Sequence, residues 1–210
     1  MSVPECLSLI KDGVTIIAAV SAIYIGFAGL NSWKKQLKGK AEYELSRRIL
    51  KEIYAYRDAI KNLRFGVILP HEMPSPPVEE RDEMSSEQQD HYGLAKAYEE
   101  RWMKITKARE RLYPDELEAE ALWGDELKLH FKALFDLERE LLISVQHYLK
   151  SCNPDTAEHT KEAIEKKDAK RRDILYDMSD ETQNQADAFQ TDIDGALSKI
   201  TDFLKPRLKG

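Results

Sequence analysis

From Gly13 to Ser32 the chain carries no Asp, Glu, Lys, Arg or His. Twenty residues in an α-helix rise about 30 Å, the thickness of a bilayer's hydrocarbon core. Ile16, Ile17, Val20, Ile23, Tyr24, Ile25, Phe27 and Leu30 supply the apolar surface. Lys11 and Asp12 close the block on one side, and Trp33, Lys34 and Lys35 close it on the other, an aromatic and cationic pairing suited to a membrane interface. The pattern predicts a transmembrane helix over 13–32, after a short N-terminus over 1–12. A cleaved signal peptide fits less well. The leader MSVPECLSLIKD is not basic, the apolar run exceeds a usual h-region, and no small-x-small site precedes a polar start.

Beyond the block the period changes to that of amphipathic helices. Leu37, Ala41, Leu45, Ile49, Ile53, Tyr56, Ile60, Leu63 and Val67 recur in steps of four or three, one stripe of a helix over 33–69 whose apolar face requires a cover. Pro70, Pro74, Pro76 and Pro77 then predict an acidic, proline-punctuated linker over 70–90. Ser85 and Gln88 have capping-box spacing, and Leu94, Tyr98, Trp102, Ile105 and Leu112 form a second stripe, with a break expected at Pro114. Leu127, Phe131, Leu134, Leu141, Val145 and Tyr148 give the most apolar stripe, the natural centre of a bundle over 91–210 completed by 37–69. Asn153 and Pro154 read as an N-cap and first helical position. A solvated helix over 161–172 should rejoin the core at Ile174 and Leu175. A polar joint over 179–187 precedes a last helix through Phe189, Ile193, Ala196, Leu197, Ile200, Phe203 and Leu204, stopped by Pro206. No alternating run bounded by turn signals argues for a sheet. The fold class is all-α: one N-terminal transmembrane helix followed by an antiparallel helical bundle.

Charge orients this arrangement. Lys34, Lys35, Lys38, Lys40, Arg47, Arg48 and Lys51 follow the block, against Lys11 and the terminal amine before it, so the positive-inside rule places the N-terminus outside and the bundle in the cytoplasm. Lys34, Lys35, Lys38 and Lys40 are then positioned to meet anionic lipid headgroups. Ala18, Ala22 and Gly26 fall at i, i+4 and i+8, a small flank on which two spans could pack as a homo-oligomer. The 210 residues carry a net charge of -6, which gives no global basic field for nucleic acid. The cluster Lys166, Lys167, Lys170, Arg171 and Arg172 is interleaved with Glu165, Asp168 and Asp173 and lacks a stacking platform, so it reads as a solvated face. With two cysteines the chain is no disulfide framework. Cys152 is expected to be a free thiol in a reducing compartment, and Cys6 lies on the far side.

The search for chemistry finds no motif. Neither GxxxxGK[ST] nor GxGxxG nor GxSxG is present, and Cys152 has no evident base. Glu126 and His130 share a helix face at i and i+4, but no HExxH or di-iron ExxH pair accompanies them, so no metal or other cofactor is expected. LNSWKKQLKGKAEYELSRRILKEIYAYRDAI after the apolar block, ELEAEALWGDELK, and KKDAKRRDILYD together resemble a set of short bacterial single-pass membrane proteins with a helical cytoplasmic domain. That resemblance implies a bacterial inner-membrane location and brings no activity, cofactor or catalytic residue. The expected function is a non-enzymatic adaptor or scaffold that presents a helical bundle to a protein partner. An oligomerising membrane effector of a stress or phage-defence system is the alternative, and an enzyme without a linear motif comes third.

Overall fold

A computed structural model describes the backbone of residues 3–177 and 187–208, and the side chains among them other than those of 3–14, 16, 18 and 19. The chain divides into two compact units, Met1–Glu44 and Leu45–Lys209. All regular structure among the described residues is helical, in the order α1 (Val3–Arg64), a 3-10 turn (Pro70–Glu72), α2 (Val78–Arg81), α3 (Ser86–Trp123), α4 (Glu126–Cys152), α5 (Glu158–Asp168), α6 (Ala188–Leu204) and a final 3-10 turn (Lys205–Leu208).

In the first unit, the described side chains from Ile17 to Trp33 are exposed on every side of the helix. Among the described residues no helix is long and apolar enough to cross a membrane. Gly13, Val14, Ile16, Ala18 and Ala19 of the block 13–32 have side chains outside the described set, as does Cys6.

In the second unit the stripe of α1 is buried at Leu45, Ile49, Ile53, Tyr56, Ile60 and Leu63, each at most 1% exposed. It stops there: α1 ends at Arg64 rather than running to 69, and Val67 is exposed. The physical reason lies across the bundle, where the Arg101 guanidinium donates to the carbonyls of Phe65 and Val67 (2.7 Å each) and turns the chain out of the helix.

α3 begins at Ser86, within the stretch expected to be a linker. The Ser85 hydroxyl accepts from the Gln88 amide and the Gln88 side chain accepts from the Ser85 amide, so the cap read from the sequence is present. The predicted break at Pro114 is absent: α3 continues through it to Trp123. Pro114 removes one N–H, and both it and Glu110, whose carbonyl loses that donor, lie on the solvent side where water can serve. The buried face therefore stays in register as Ala97, Arg101, Ile105, Ala108, Leu112, Asp115 and Ala119, while Leu117 is turned outward.

Gly124, at φ +74°, closes α3, a backbone conformation that glycine adopts without penalty. The two-residue link to α4 makes the pair an antiparallel hairpin. α4 buries Leu127, Phe131, Leu134, Leu141 and Val145 and packs on both α3 and α6. Asn153 and Pro154 do not start a helix: Asn153 ends α4, its side chain accepts from the Asp155 amide, and α5 starts at Glu158. An Asx-type local bond of this kind closes a helix as readily as it opens one. Ile174 and Leu175 are buried, as expected. Most of the predicted joint over 179–187 lies outside the described residues. α6 starts on the Asp187 cap to Gln190 and buries Phe189, Ile193, Ala196, Leu197, Ile200 and Leu204.

Candidate functional site

Two regions carry features beyond packing, one in each unit. In the first, Ile17, Val20, Ile23, Tyr24, Ile25, Phe27, Leu30 and Trp33 are 55–75% exposed. They point to all sides of α1, with no charged residue among them to solvate the surface. The lysines that follow are also exposed. Lys38 lies 3.8 Å from Glu42 and Lys40 lies 3.9 Å from Glu44, exposed i,i+4 pairs that are weak, so the group keeps much of its positive field. Ala22 and Gly26 are exposed, and a Cβ built on Gly26 meets nothing within 4 Å. Ala18, the third member of the small flank, is outside the described side chains.

Among the described residues, the second unit holds several buried ionic groups that the stripes alone do not announce. Arg64, 0% exposed, donates to the carbonyls of Ile174 (2.8 Å) and Tyr176 (2.7 Å) and to Asp187 Oδ2 (2.9 Å), and lies over the Phe189 ring. Arg101 grips Glu72 with two nitrogens (2.9 and 2.7 Å), besides the Phe65 and Val67 carbonyls. That guanidinium holds the Glu72 carboxyl at about 2, below its ordinary 4.5. Tyr56 donates its hydroxyl to Glu138, which also accepts from Arg109 (3.0 Å). Burial, with the adjacent carboxylate, pushes the Tyr56 hydroxyl well up, so it remains a donor. Each of these charges is engaged by the fold, and each engages at least two elements.

A cavity of about 350 Å³ opens between the C-terminal half of α4 and the 168–176 segment. Ser144, Tyr148 and Ser151 line it from α4, and Arg171, Asp173 and Tyr176 line it from the other side. Tyr98 and Tyr176 each set a ring edge to face on that of Tyr148, with centroids 5.7 and 6.3 Å away. The neighbouring Tyr176 hydroxyl raises that of Tyr148, and burial raises that of Tyr98, so both are neutral at ordinary pH. Nearby, His147 Nδ1 lies 2.7 Å from Asp168.

Cys152 is a free, exposed thiol. Glu126 and His130 gain no third ligand: among the described residues no group of three or more His, Cys, Asp or Glu could hold a metal. The cluster Lys166 to Arg172 is not one helix face, because α5 ends at Asp168. Within it Arg172 is drawn to Glu140 and Asp192, while Lys166, Lys167, Lys170 and Arg171 are exposed. Compared with known proteins, the chain matches no family model, no curated protein and no solved structure.

Proposed function

We propose that the protein is a membrane-anchored, non-enzymatic interaction module, with α1 entering the bilayer over 13–32 and the unit from Leu45 presented in the cytoplasm to a protein partner. One observation carries this reading: eight large apolar and aromatic side chains between Ile17 and Trp33 are more than half exposed around the helix. In water such a surface is costly, by about 25 cal/mol for each Å² of apolar area, and in hydrocarbon it is the preferred state. The absence of charge from Gly13 to Ser32 and the lysines from Lys34 to Lys40 are consistent with it. In the second unit, the saturated state of Arg64, Arg101 and Glu138 supports a structural part for the buried charges.

The test is topological. A reporter active only in the cytoplasm, fused after Gly210, should be active in a bacterial host. Cys6 should react with an impermeant thiol reagent once the outer membrane is permeabilised. Recovery of the full chain in the soluble fraction, or an inactive reporter, overturns the anchor or its orientation. Cross-linking in the native host distinguishes an adaptor, which yields a stable partner at intact membrane potential, from an effector, whose expression dissipates that potential.

A further inference from the structure

The cavity on α4 retains unspent chemistry after the contacts that hold the fold are subtracted. Arg172 lines it, but its guanidinium is committed to Glu140 and Asp192. Asp168 is taken by His147, and Asp173 Oδ1 accepts from the Leu175 amide. Ser144, Ser151 and Arg171, by contrast, have no side-chain partner among the described residues. The two serines flank Tyr148 at i, i+4 and i+7 of α4, so all three share one face. Arg171 lines the opposite wall, on a non-helical stretch that also carries the buried Ile174 and Leu175.

That wall is fixed. Arg64 holds the carbonyls of Ile174 and Tyr176, and the Asp177 amide donates back to the Arg64 carbonyl (3.2 Å). A cavity whose walls are set by the fold costs a ligand little ordering on binding. Its volume lies at the small end of ligand sites, which span roughly 300–1,000 Å³.

Three features define what would fit. One free guanidinium asks for a planar anion. Asp168 and Asp173 on the same lining disfavour a doubly charged group, which points to a carboxylate rather than a phosphate. The rings of Tyr148 and Tyr176, edge to face with centroids 6.3 Å apart, and the aliphatic Ile174 and Leu175 suit a flat apolar body. We infer that this cavity is a binding site for a small aromatic carboxylic acid. Its carboxylate lies on Arg171, its ring lies against Tyr148 and Tyr176, and Ser144 and Ser151 supply the remaining hydrogen bonds. This assignment is independent of the membrane reading.

The experiment uses the full chain in detergent micelles, with empty micelles as the blank. Saturation-transfer NMR is recorded with benzoate, phenylacetate and indole-3-acetate, each paired with its neutral amide. At least one acid should bind saturably and at least about tenfold more tightly than its amide, since the amide cannot form the charged pair. Arg171→Gln should remove that preference while leaving the melting temperature unchanged, because the Arg171 side chain is exposed and has no partner among the described residues. Ser144→Leu, which fills the cavity, should abolish binding of acid and amide alike. The assignment is overturned by any one of three results: no acid saturates below about 10 mM, the preference survives Arg171→Gln, or Ser144→Leu binds as the parent does.

Discussion

Arg64→Ala tests how the second unit is held together, because this one side chain joins the end of α1 to the 174–176 stretch and to the start of α6. The Arg64 side chain is 0% exposed and that of Asp187 is 4% exposed. Removing one partner of a buried pair costs about 3–5 kcal/mol, most of it from the charge left behind. Asp187 keeps the Gln190 amide as a donor (2.7 Å), which offsets part of that cost. The carbonyls of Ile174 and Tyr176 each lose a donor, at about 1 kcal/mol apiece when water replaces it poorly. The expected loss is therefore about 3–5 kcal/mol. A unit of this size loses roughly 2–4 °C of melting temperature per kcal/mol, so the melt should fall by about 6–20 °C.

Circular dichroism melts and urea titrations of the full chain in micelles measure this loss. Arg64→Lys keeps a charge but cannot form the fork, and should lie between the parent and Arg64→Ala. The cycle with Asp187→Asn should show a coupling above about 1 kcal/mol. An Arg64→Ala protein within about 1 kcal/mol of the parent would show that the second unit does not depend on this clamp, and the account of the fixed cavity wall would fall with it.

Further outcomes follow from the same reasoning. The Glu72 carboxyl is held at about 2 in the folded protein, against an ordinary 4.5, so its contribution is full above pH 4.5 and is lost as pH falls towards 2. Glu72→Gln should cost about 2–3 kcal/mol near neutrality and little near pH 2; urea midpoints that differ by a constant amount across that range would contradict it. Leu134→Asp places an unpaired charge where the parent residue is 0% exposed, and should cost several kcal/mol or prevent the cooperative melt altogether. In the first unit, Gly26→Ile should abolish any signal of the isolated span in a membrane two-hybrid assay, whereas Ile25→Leu should leave it intact. Equal signals from the parent and Gly26→Ile would remove span packing as a route to oligomers.

Most of the second unit is legible as periodicity. The positions from Leu45 to Leu63, from Leu127 to Val145 and from Phe189 to Leu204 follow helical spacing, and the structure buries most of them. Where the reading slips, a local signal was outweighed by packing. Pro114 is a helix breaker by propensity, yet the neighbours at Leu112, Asp115 and Ala119 secure the helix on both sides and the freed carbonyl faces water. Asn153–Pro154 carries an N-terminal signature, but the same Asn side chain closes a turn after α4. A stripe sought as apolar residues does not include Arg101, Asp115 or Glu138. All three nevertheless occupy stripe positions, Arg101 between Ala97 and Ile105, Asp115 between Leu112 and Ala119, Glu138 between Leu134 and Leu141. A charge at a core register is the sequence signal for a buried ion pair. Its partner, contributed from 29 to 67 residues away, cannot be read from spacing.

The same comparison separates structural from available charge. An all-helical unit satisfies its backbone along each helix and leaves its exposed carbonyls at the ends and connections. A guanidinium, with five donors, can serve several of these at once for a single desolvation. Arg101 does this for the chain leaving α1, and Arg64 does it for the stretch before α6. Arg172 spends itself on carboxylates from α4 and α6. In each case the donors are directed at the protein's own groups, which leaves little for a ligand and, for Arg64 and Arg101, accounts for their deep burial. Arg171 sits one residue from Arg172 on the rim of a cavity and is bound to none of these groups. Burial alone would have singled out Arg64 and Arg101 as the residues of interest. Counting unspent donors along the cavity lining singles out Arg171 instead, and it is that count that bears on what the molecule can still bind.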